Sequence, residues 1–251
     1  MSTEKSLALV LRIVDFSETS IVTTLFTEDF GKIGALAKGA RRPKGPFESA
    51  LDLLAVCRIV FIHKTSDALD LLTEAKLERR FRSAARDLSR LYAGYYVAEL
   101  LHDLTDTSDP HPVLFHCANQ SLYDLDHGED VAPVVLHFEV TMLRELGLLP
   151  SLETCVGCGT AVAASGRVAF GQLAGGVLCA ECRGGQRQVV SVSAGALKTL
   201  QRYAEPGRDV WRRLDVDRRL QGELRGVMNQ YVANLLGRRP RMFRYLGMLA
   251  S

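Results

Sequence analysis

Two pairs of cysteines constrain this chain more than any other feature of its sequence. Cys155 and Cys158 form one CxxC pair, and Cys179 and Cys182 form a second after twenty intervening residues. Four thiolates can close a tetrahedron around Zn²⁺ with bonds of about 2.3 Å, and a two-residue spacer lets each pair hold the ion from one turn. A closed site leaves no position for a substrate, so we predict one structural zinc ion per chain. Disulfides or unrelated buried thiols are the alternatives.

The expected cellular compartment favours zinc over disulfides. The chain has 251 residues, of which 47% are hydrophobic, and no apolar run reaches the roughly 18 residues of a membrane helix. The first fifteen residues carry charges and no small-residue cleavage site follows them, so we expect a cytoplasmic, nucleoid-associated protein with no membrane contact. Thiols stay reduced in that compartment. The formal net charge is +2, and a zinc ion with four thiolates brings it to about zero. Attraction to a charged partner must therefore come from local patches of charged residues.

The pattern of the first 80 residues is that of short strands. Five apolar, β-branched segments are separated by polar or Gly/Pro breaks, which suits a small closed barrel. An OB-fold and an SH3-like barrel both fit five strands, and the OB-fold is a common platform for oligonucleotides. The predicted strands are Leu7–Val14, Ile21–Phe26, Lys32–Ala37, Leu53–Ile62 and Ala68–Ala75.

From residue 81 the apolar period becomes helical. We therefore predict a multidomain α+β protein, with an OB-fold barrel over 1–80 and a mostly helical domain over 81–251 that is interrupted by a zinc knuckle at 152–186. The predicted helices include Val113–Leu125, Ala132–Leu146 and a segment from Leu220 to Leu235.

Two basic segments are candidates for nucleic-acid binding. The stretch Gly31–Phe47 has five cations and no acid, which is typical of a strand and loop that follow a phosphate backbone. The C-terminal tail is also basic and free of acids. A solvated loop and a helix-terminating tail are the alternatives. Phe47 is predicted as a loop-anchoring core residue, with stacking on a base as the alternative. The predicted binding residues are Lys32, Lys38, Arg41, Arg42, Lys44, Arg238, Arg239 and Arg241.

The sequence contains no familiar motif for enzyme chemistry. A phosphate-binding GxxxxGK[ST] loop, a GxGxxG turn and a GxSxG elbow are all absent. His137 and Glu139, followed by Cys155 and Cys158, imitate the HxE and CxxC elements of zinc deaminases. No proline directly precedes Cys155 and the second CxxC pair would have no role, so we expect His137 and Glu139 on a helix surface and no enzyme activity.

Several of these features together resemble the RecO family of bacterial recombination mediators. The resemblance covers essentially the whole chain, and its most specific part is the Gly-Lys strand that leads into Lys-Gly-Ala-Arg-Arg. The matching segments are Gly31–Lys32, Lys38–Arg42, Tyr95 with Glu99–Leu100, Leu146–Pro150 and the basic tail.

The resemblance implies a DNA-repair mediator that works without ATP. Members bind single- and double-stranded DNA, anneal complementary strands and contact the acidic C-terminal tail of single-strand-binding protein. With the partner RecR they help to load RecA on strands that are coated with single-strand-binding protein. The family has an N-terminal OB-fold, and Lys32, Lys38, Arg41 and Arg42 inherit its DNA-binding role. The runner-up is a zinc-stapled scaffold that binds structured RNA and partner proteins.

Overall fold

The structure is a computed structural model that describes residues 2–42, 45–47, 50–64, 68–83, 87–207 and 209–246. The chain divides into two compact units, Met1–Glu129 and Asp130–Ser251. Among the described residues no helix is both long and apolar enough to cross a bilayer. The predicted domain ranges stay predictions.

A five-stranded barrel forms most of the first unit. Its strands follow the order β1-β2-β3-β5-β4, and the ring closes where β4 pairs with β1. The strands are β1 (Ser2–Asp15), β2 (Ile21–Thr27), β3 (Gly31–Ala37), β4 (Val56–His63) and β5 (Asp70–Arg79). All ladders are antiparallel except β3–β5. The predicted α+β class, with strands first and helices after them, is confirmed.

Side chains alternate between the two faces of each strand, and this period fills the barrel interior. On β3, Ile33, Ala35 and Ala37 are buried in the barrel core, whereas Lys32 points to the outer face. Leu25, Ile59 and Phe61 from other strands complete that core. The position of Lys32 is therefore fixed by the strand period and not by its charge.

The β3–β5 ladder is the shortest in the ring. It pairs only Ala35–Ala37 with Asp70–Leu72. Beyond it, the amide of Ala75 on β5 donates to the carbonyl of Pro46 at 3.1 Å, and the amide of Ser108 donates to the carbonyl of Lys32 on β3 at 3.0 Å. At Gly31 a Cβ would lie 2.1 Å from the Asp109 carbonyl oxygen, so only glycine fits where this loop approaches β3.

Two helices complete the first unit, α1 (Leu88–Leu104) and α2 (Pro112–Asp126). The Asp87 carboxylate accepts a hydrogen bond from the amide of Ser89 and starts α1, and Pro112 occupies the first turn of α2. The Arg90 guanidinium donates to the carbonyl of Leu125 in the last turn of α2 and to those of Gly128 and Glu129 just beyond the helix.

The second unit combines helices with a small sheet. Its helices are α3 (Val131–Glu145), α4 (Ala194–Ala204), a 3₁₀ turn (Asp209–Arg213), α5 (Arg218–Leu236) and α6 (Phe243–Leu246). Its strands are β6 (Arg167–Gly171), β7 (Gly176–Leu178) and β8 (Val189–Ser193), in the order β7-β6-β8. Asp217 caps the start of α5, and Gly237 ends it in the left-handed conformation.

The structure differs from the sequence-based expectation at one end of β1 and in the second unit. Strand β1 begins at Ser2 and not at Leu7, because its polar first residues pair with β4 through backbone hydrogen bonds that need no apolar pattern. The strands β6, β7 and β8 were not predicted. They are three to five residues long, which is too short for a period to stand out.

Candidate nucleic-acid interface and metal centre

The first cluster of predicted binding residues lies where β3 ends. Lys38, Arg41 and Arg42 are all exposed in the loop that follows this strand. Arg41 forms an ion pair with Asp15 at the end of β1, and its amide donates to the carbonyl of Thr19 at 3.1 Å. The structure thus places three predicted cations in a loop that is tied to the β1–β2 turn.

Lys32 has a different environment from these three cations. Its ammonium donates to the carbonyls of His102 and Thr105, both at 2.5 Å, at the C-terminal end of α1. Partial burial lowers the pKa of Lys32, although Asp106 and Asp103 act in the opposite direction. The side chain satisfies carbonyls that a helix end leaves without partners. Its DNA-binding role stays a prediction, and Lys44 lies outside the described residues.

Near this loop the structure buries Phe47 and exposes Phe16. Phe47 is only 3% exposed and belongs to the barrel core, which confirms its interpretation as an anchor. Phe16, at the start of the β1–β2 turn, is 64% exposed. Sequence reasoning missed Phe16, and the available signal was an aromatic residue between a strand and the polar run Ser17–Ser20.

The basic tail forms a separate surface in the second unit. Arg238, Arg239 and Arg241 are exposed and follow the glycine that ends α5. Arg239, Arg241 and Arg244 line a hollow of about 490 Å³ together with Asn229 and Gln230 on α5. Two of the three predicted tail residues, Arg239 and Arg241, therefore lie beside α5.

The four predicted metal ligands come together in the second unit. The sulfurs of Cys155, Cys158, Cys179 and Cys182 all lie within 4.8 Å of one another, and Cys158 Sγ is 3.8 Å from Cys179 Sγ. A zinc tetrahedron with bonds of about 2.3 Å separates its sulfurs by about 3.8 Å. The donor set and its spacing therefore fit one zinc ion.

Backbone groups around the sulfurs favour thiolates. The amides of Gly157 and Cys179 donate to Cys155 Sγ at 3.4 and 3.3 Å, and the amide of Cys182 donates to Cys179 Sγ at 3.4 Å. A Cβ on Gly157 would lie 3.0 Å from Cys182 Sγ, so a larger residue would crowd the cluster. Such amide–sulfur contacts are the usual outer shell of a metal–thiolate site.

Hydrogen bonds shift the pKa values of three of the four thiols. The amide of Cys179 lowers the pKa of Cys155 to about 6, and the hydroxyl of Thr160 lowers the pKa of Cys158. Hydrogen bonds with the other thiols, Cys179 first, raise the pKa of Cys182 to about 12. Thiols bind a metal as thiolates, so a divalent cation bound here would displace the remaining thiol protons.

The expected surface position of Glu139 is wrong. Glu139 is fully buried in α3, and its carboxylate accepts a hydrogen bond from the Arg225 guanidinium at 2.5 Å. The ring of His137 stacks on Trp211 with centroids 4.5 Å apart. Arg225 lies 86 positions from Glu139 along the chain, so the local sequence pattern around Glu139 could not indicate this ion pair. His137 and Glu139 therefore contribute to the packing of the second unit.

Comparisons with known proteins match both parts of the chain. A family model described as Recombination protein O N terminal matches residues 1–81, and one described as Recombination protein O C terminal matches residues 85–242. Proteins named DNA repair protein RecO are similar over most of their length. The one from Rhodopirellula baltica is 42% identical over 96% of this chain and 97% of its own. Those from Moorella thermoacetica and Anaeromyxobacter dehalogenans strain 2CP-1 are 33% and 32% identical, over 93% and 98% of this chain and 86% and 96% of their own.

Proposed function

Because this chain belongs to the RecO family of DNA repair proteins, we propose that it is a recombination mediator that binds single- and double-stranded DNA and anneals complementary strands without ATP. The observation that carries the proposal is the exposed group of Lys38, Arg41 and Arg42 in one loop of the barrel. The ion pair of Arg41 with Asp15 is solvent-exposed and worth at most about 1 kcal/mol, so a phosphate can replace the carboxylate.

We assign the barrel to the OB-fold. The strand order β1-β2-β3-β5-β4 and the parallel β3–β5 pair support this assignment over an SH3-like barrel. OB-folds bind oligonucleotides with the face of strands 2 and 3 and with the loops between strands 1 and 2 and between strands 4 and 5. The exposed cations follow β3, and Arg41 among them contacts the first of these loops, which is where that mode of binding would hold a strand.

The mechanism follows from charge neutralisation. Two single strands repel each other through their phosphates, and bound cations release counterions and reduce that repulsion. The protein then holds strands close together, and base pairing selects the complementary partner. No step in this sequence needs nucleotide hydrolysis.

Charge reversal tests the DNA-binding part of the proposal. A variant with Lys38→Glu, Arg41→Glu and Arg42→Glu loses three phosphate contacts. The slope of log affinity against log salt for single strands becomes shallower by about 2, at about 0.7 per contact. Fluorescence anisotropy with an oligo-dT strand across a salt series measures this slope.

A companion variant, Lys32→Gln, tests the predicted DNA-binding role of Lys32 separately. Its ammonium donates to two carbonyls inside the unit, so we expect a loss of about 1–3 kcal/mol in unfolding free energy when these carbonyls lose their donor. If Lys32 also contacts a phosphate, the salt slope becomes shallower by about 0.7. An unaltered slope in the triple variant would instead move the DNA site to the arginine-rich second unit.

We infer further that Cys155, Cys158, Cys179 and Cys182 hold one structural zinc ion. Bound there, zinc supplies a crosslink between two turns, and the closed set of four sulfurs leaves it no open position. The expected partners are RecR, the acidic tail of single-strand-binding protein and, indirectly, RecA. A cytoplasmic, nucleoid-associated location follows from the proposed role in DNA repair.

A further inference from the structure

The β1–β2 turn presents one aromatic ring to solvent. Phe16 is 64% exposed, which is the largest value for a big apolar side chain among the described residues. Tyr123 is the other aromatic residue in that exposed group, but its ring stacks on His127 with centroids 3.8 Å apart. In the described part of the chain, the ring of Phe16 has no such aromatic partner. Single exposed apolar residues are common, so its surroundings must decide whether Phe16 has a role.

Hydrogen bonds fix the backbone that carries this ring. The amides of Phe16 and Ser17 both donate to the carbonyl of Ser20, at 3.0 and 3.1 Å, and the amide of Ser20 donates to Ser17 Oγ at 3.2 Å. The turn is therefore already ordered before any ligand arrives. A ring on a fixed turn loses little conformational entropy on binding, because only two side-chain torsions remain to be ordered.

The same turn is joined to the basic loop. The amide of Arg41 donates to the carbonyl of Thr19, the amide of Gly39 donates to Ser20 Oγ at 3.4 Å, and Arg41 pairs with Asp15, which precedes Phe16. An exposed aromatic face and three exposed cations thus sit on two loops that are fixed to each other. Proteins that bind single strands combine these two elements, aromatic rings for the bases and cations for the backbone.

We propose that Phe16 stacks on an unpaired base of single-stranded DNA while Lys38, Arg41 and Arg42 contact the neighbouring phosphates. This inference rests on the proposed function and adds a residue that discriminates between strand types. The bases of a duplex already stack on each other, so their faces are closed to Phe16. Every base has a π-face, so this contact discriminates single from double strands without selecting a sequence.

Three DNA probes separate stacking from phosphate binding. They are an oligo-dT strand, a strand of equal length built from abasic sites, and a hairpin duplex. Phe16→Ala is expected to weaken binding of oligo-dT by about 5- to 150-fold, the range of one lost base–aromatic stack. Binding of the abasic strand and the duplex stays unchanged, and the salt slope on oligo-dT keeps its value because no cation is lost.

Two further variants complete the design. Phe16→Trp is expected to keep the affinity of the unaltered protein for oligo-dT, since tryptophan also stacks on bases. Leu173→Ala removes an apolar side chain that is 56% exposed in the second unit, and it leaves all three affinities unchanged. Thermal unfolding of each variant checks that the barrel remains folded.

The outcomes distinguish this inference from the proposed function. Equal losses by Phe16→Ala on all three probes, or no loss on oligo-dT, would overturn the stacking role while DNA binding by the unaltered protein stands. Failure of the unaltered protein to bind any probe at low salt would overturn the proposed function itself.

Discussion

Glu139 places a carboxylate at a fully buried position of α3, where it pairs with the guanidinium of Arg225. The Arg225 side chain, on α5, is 20% exposed, so this ion pair connects the interior of the second unit to its surface. Removing charges from water is costly, and a buried carboxylate persists only where a partner compensates for it. The pair therefore links α3 to α5.

A single substitution measures that dependence. Glu139→Gln removes the carboxylate charge that pairs with Arg225, and we expect a loss of about 3 kcal/mol in the free energy of unfolding by urea. Arg202→Ala is the matched control, because the pair of Arg202 with Glu205 is exposed and worth at most about 1 kcal/mol. The double variant Glu139→Leu with Arg225→Met is expected to recover most of the loss. Similar effects of Glu139→Gln and Arg202→Ala would contradict this account.

At the scale of elements, the metal centre joins two turns that a hairpin separates. Strands β6 and β7 lie between the second and third cysteines, and the amide of Val156 donates to the carbonyl of Val177 at 3.1 Å. A metal ion bound to all four sulfurs closes this segment into a loop. Closure of that kind supplies on the order of 10 kcal/mol to local folding.

Removal of one cysteine pair tests the centre. Cys155→Ser with Cys158→Ser is expected to lower the zinc content from one equivalent to none and to speed hydrogen exchange at the amides of β6 and β7. Cys117→Ser is the control, since this residue lies outside the cluster, and it keeps one equivalent. Full zinc retention by the double variant, measured by elemental analysis, would refute the four-thiolate site.

The sequence predicted elements where the relevant contacts are local. The cysteine cluster was predictable because each CxxC pair forms one turn, and the helix over Val131–Glu145 was predictable within one residue at each end. The environment of Lys32 was not, since its carbonyl partners lie 70 and 73 positions further along the chain. The exposure of Phe16 likewise depends on how loops pack, which no local period records.

At the scale of the whole molecule, net charge cannot drive the proposed DNA binding. The formal charge of +2 falls to about zero once a zinc ion and four thiolates are counted. Attraction to a phosphate backbone must then come from local groups of cations, such as Lys38, Arg41 and Arg42.

An annealing experiment tests the proposed activity of the intact protein. Two complementary fluorescent oligonucleotides are coated with single-strand-binding protein and mixed with and without this protein. We expect faster annealing that needs no ATP and fades as salt increases, because the contacts are electrostatic. The triple charge-reversal variant serves as the control and is expected to be slower. Absence of any acceleration would favour the alternative of a scaffold that binds structured RNA.

The short β3–β5 ladder has a consequence for how the first unit meets other proteins. An open strand edge invites pairing with a foreign strand, which leads to aggregation or to strand addition by a partner. Within the described part of this ring, Pro46 and Ser108 engage β5 and β3 where their mutual pairing stops. A peptide that added a strand at either of these positions would first have to displace Pro46 or Ser108.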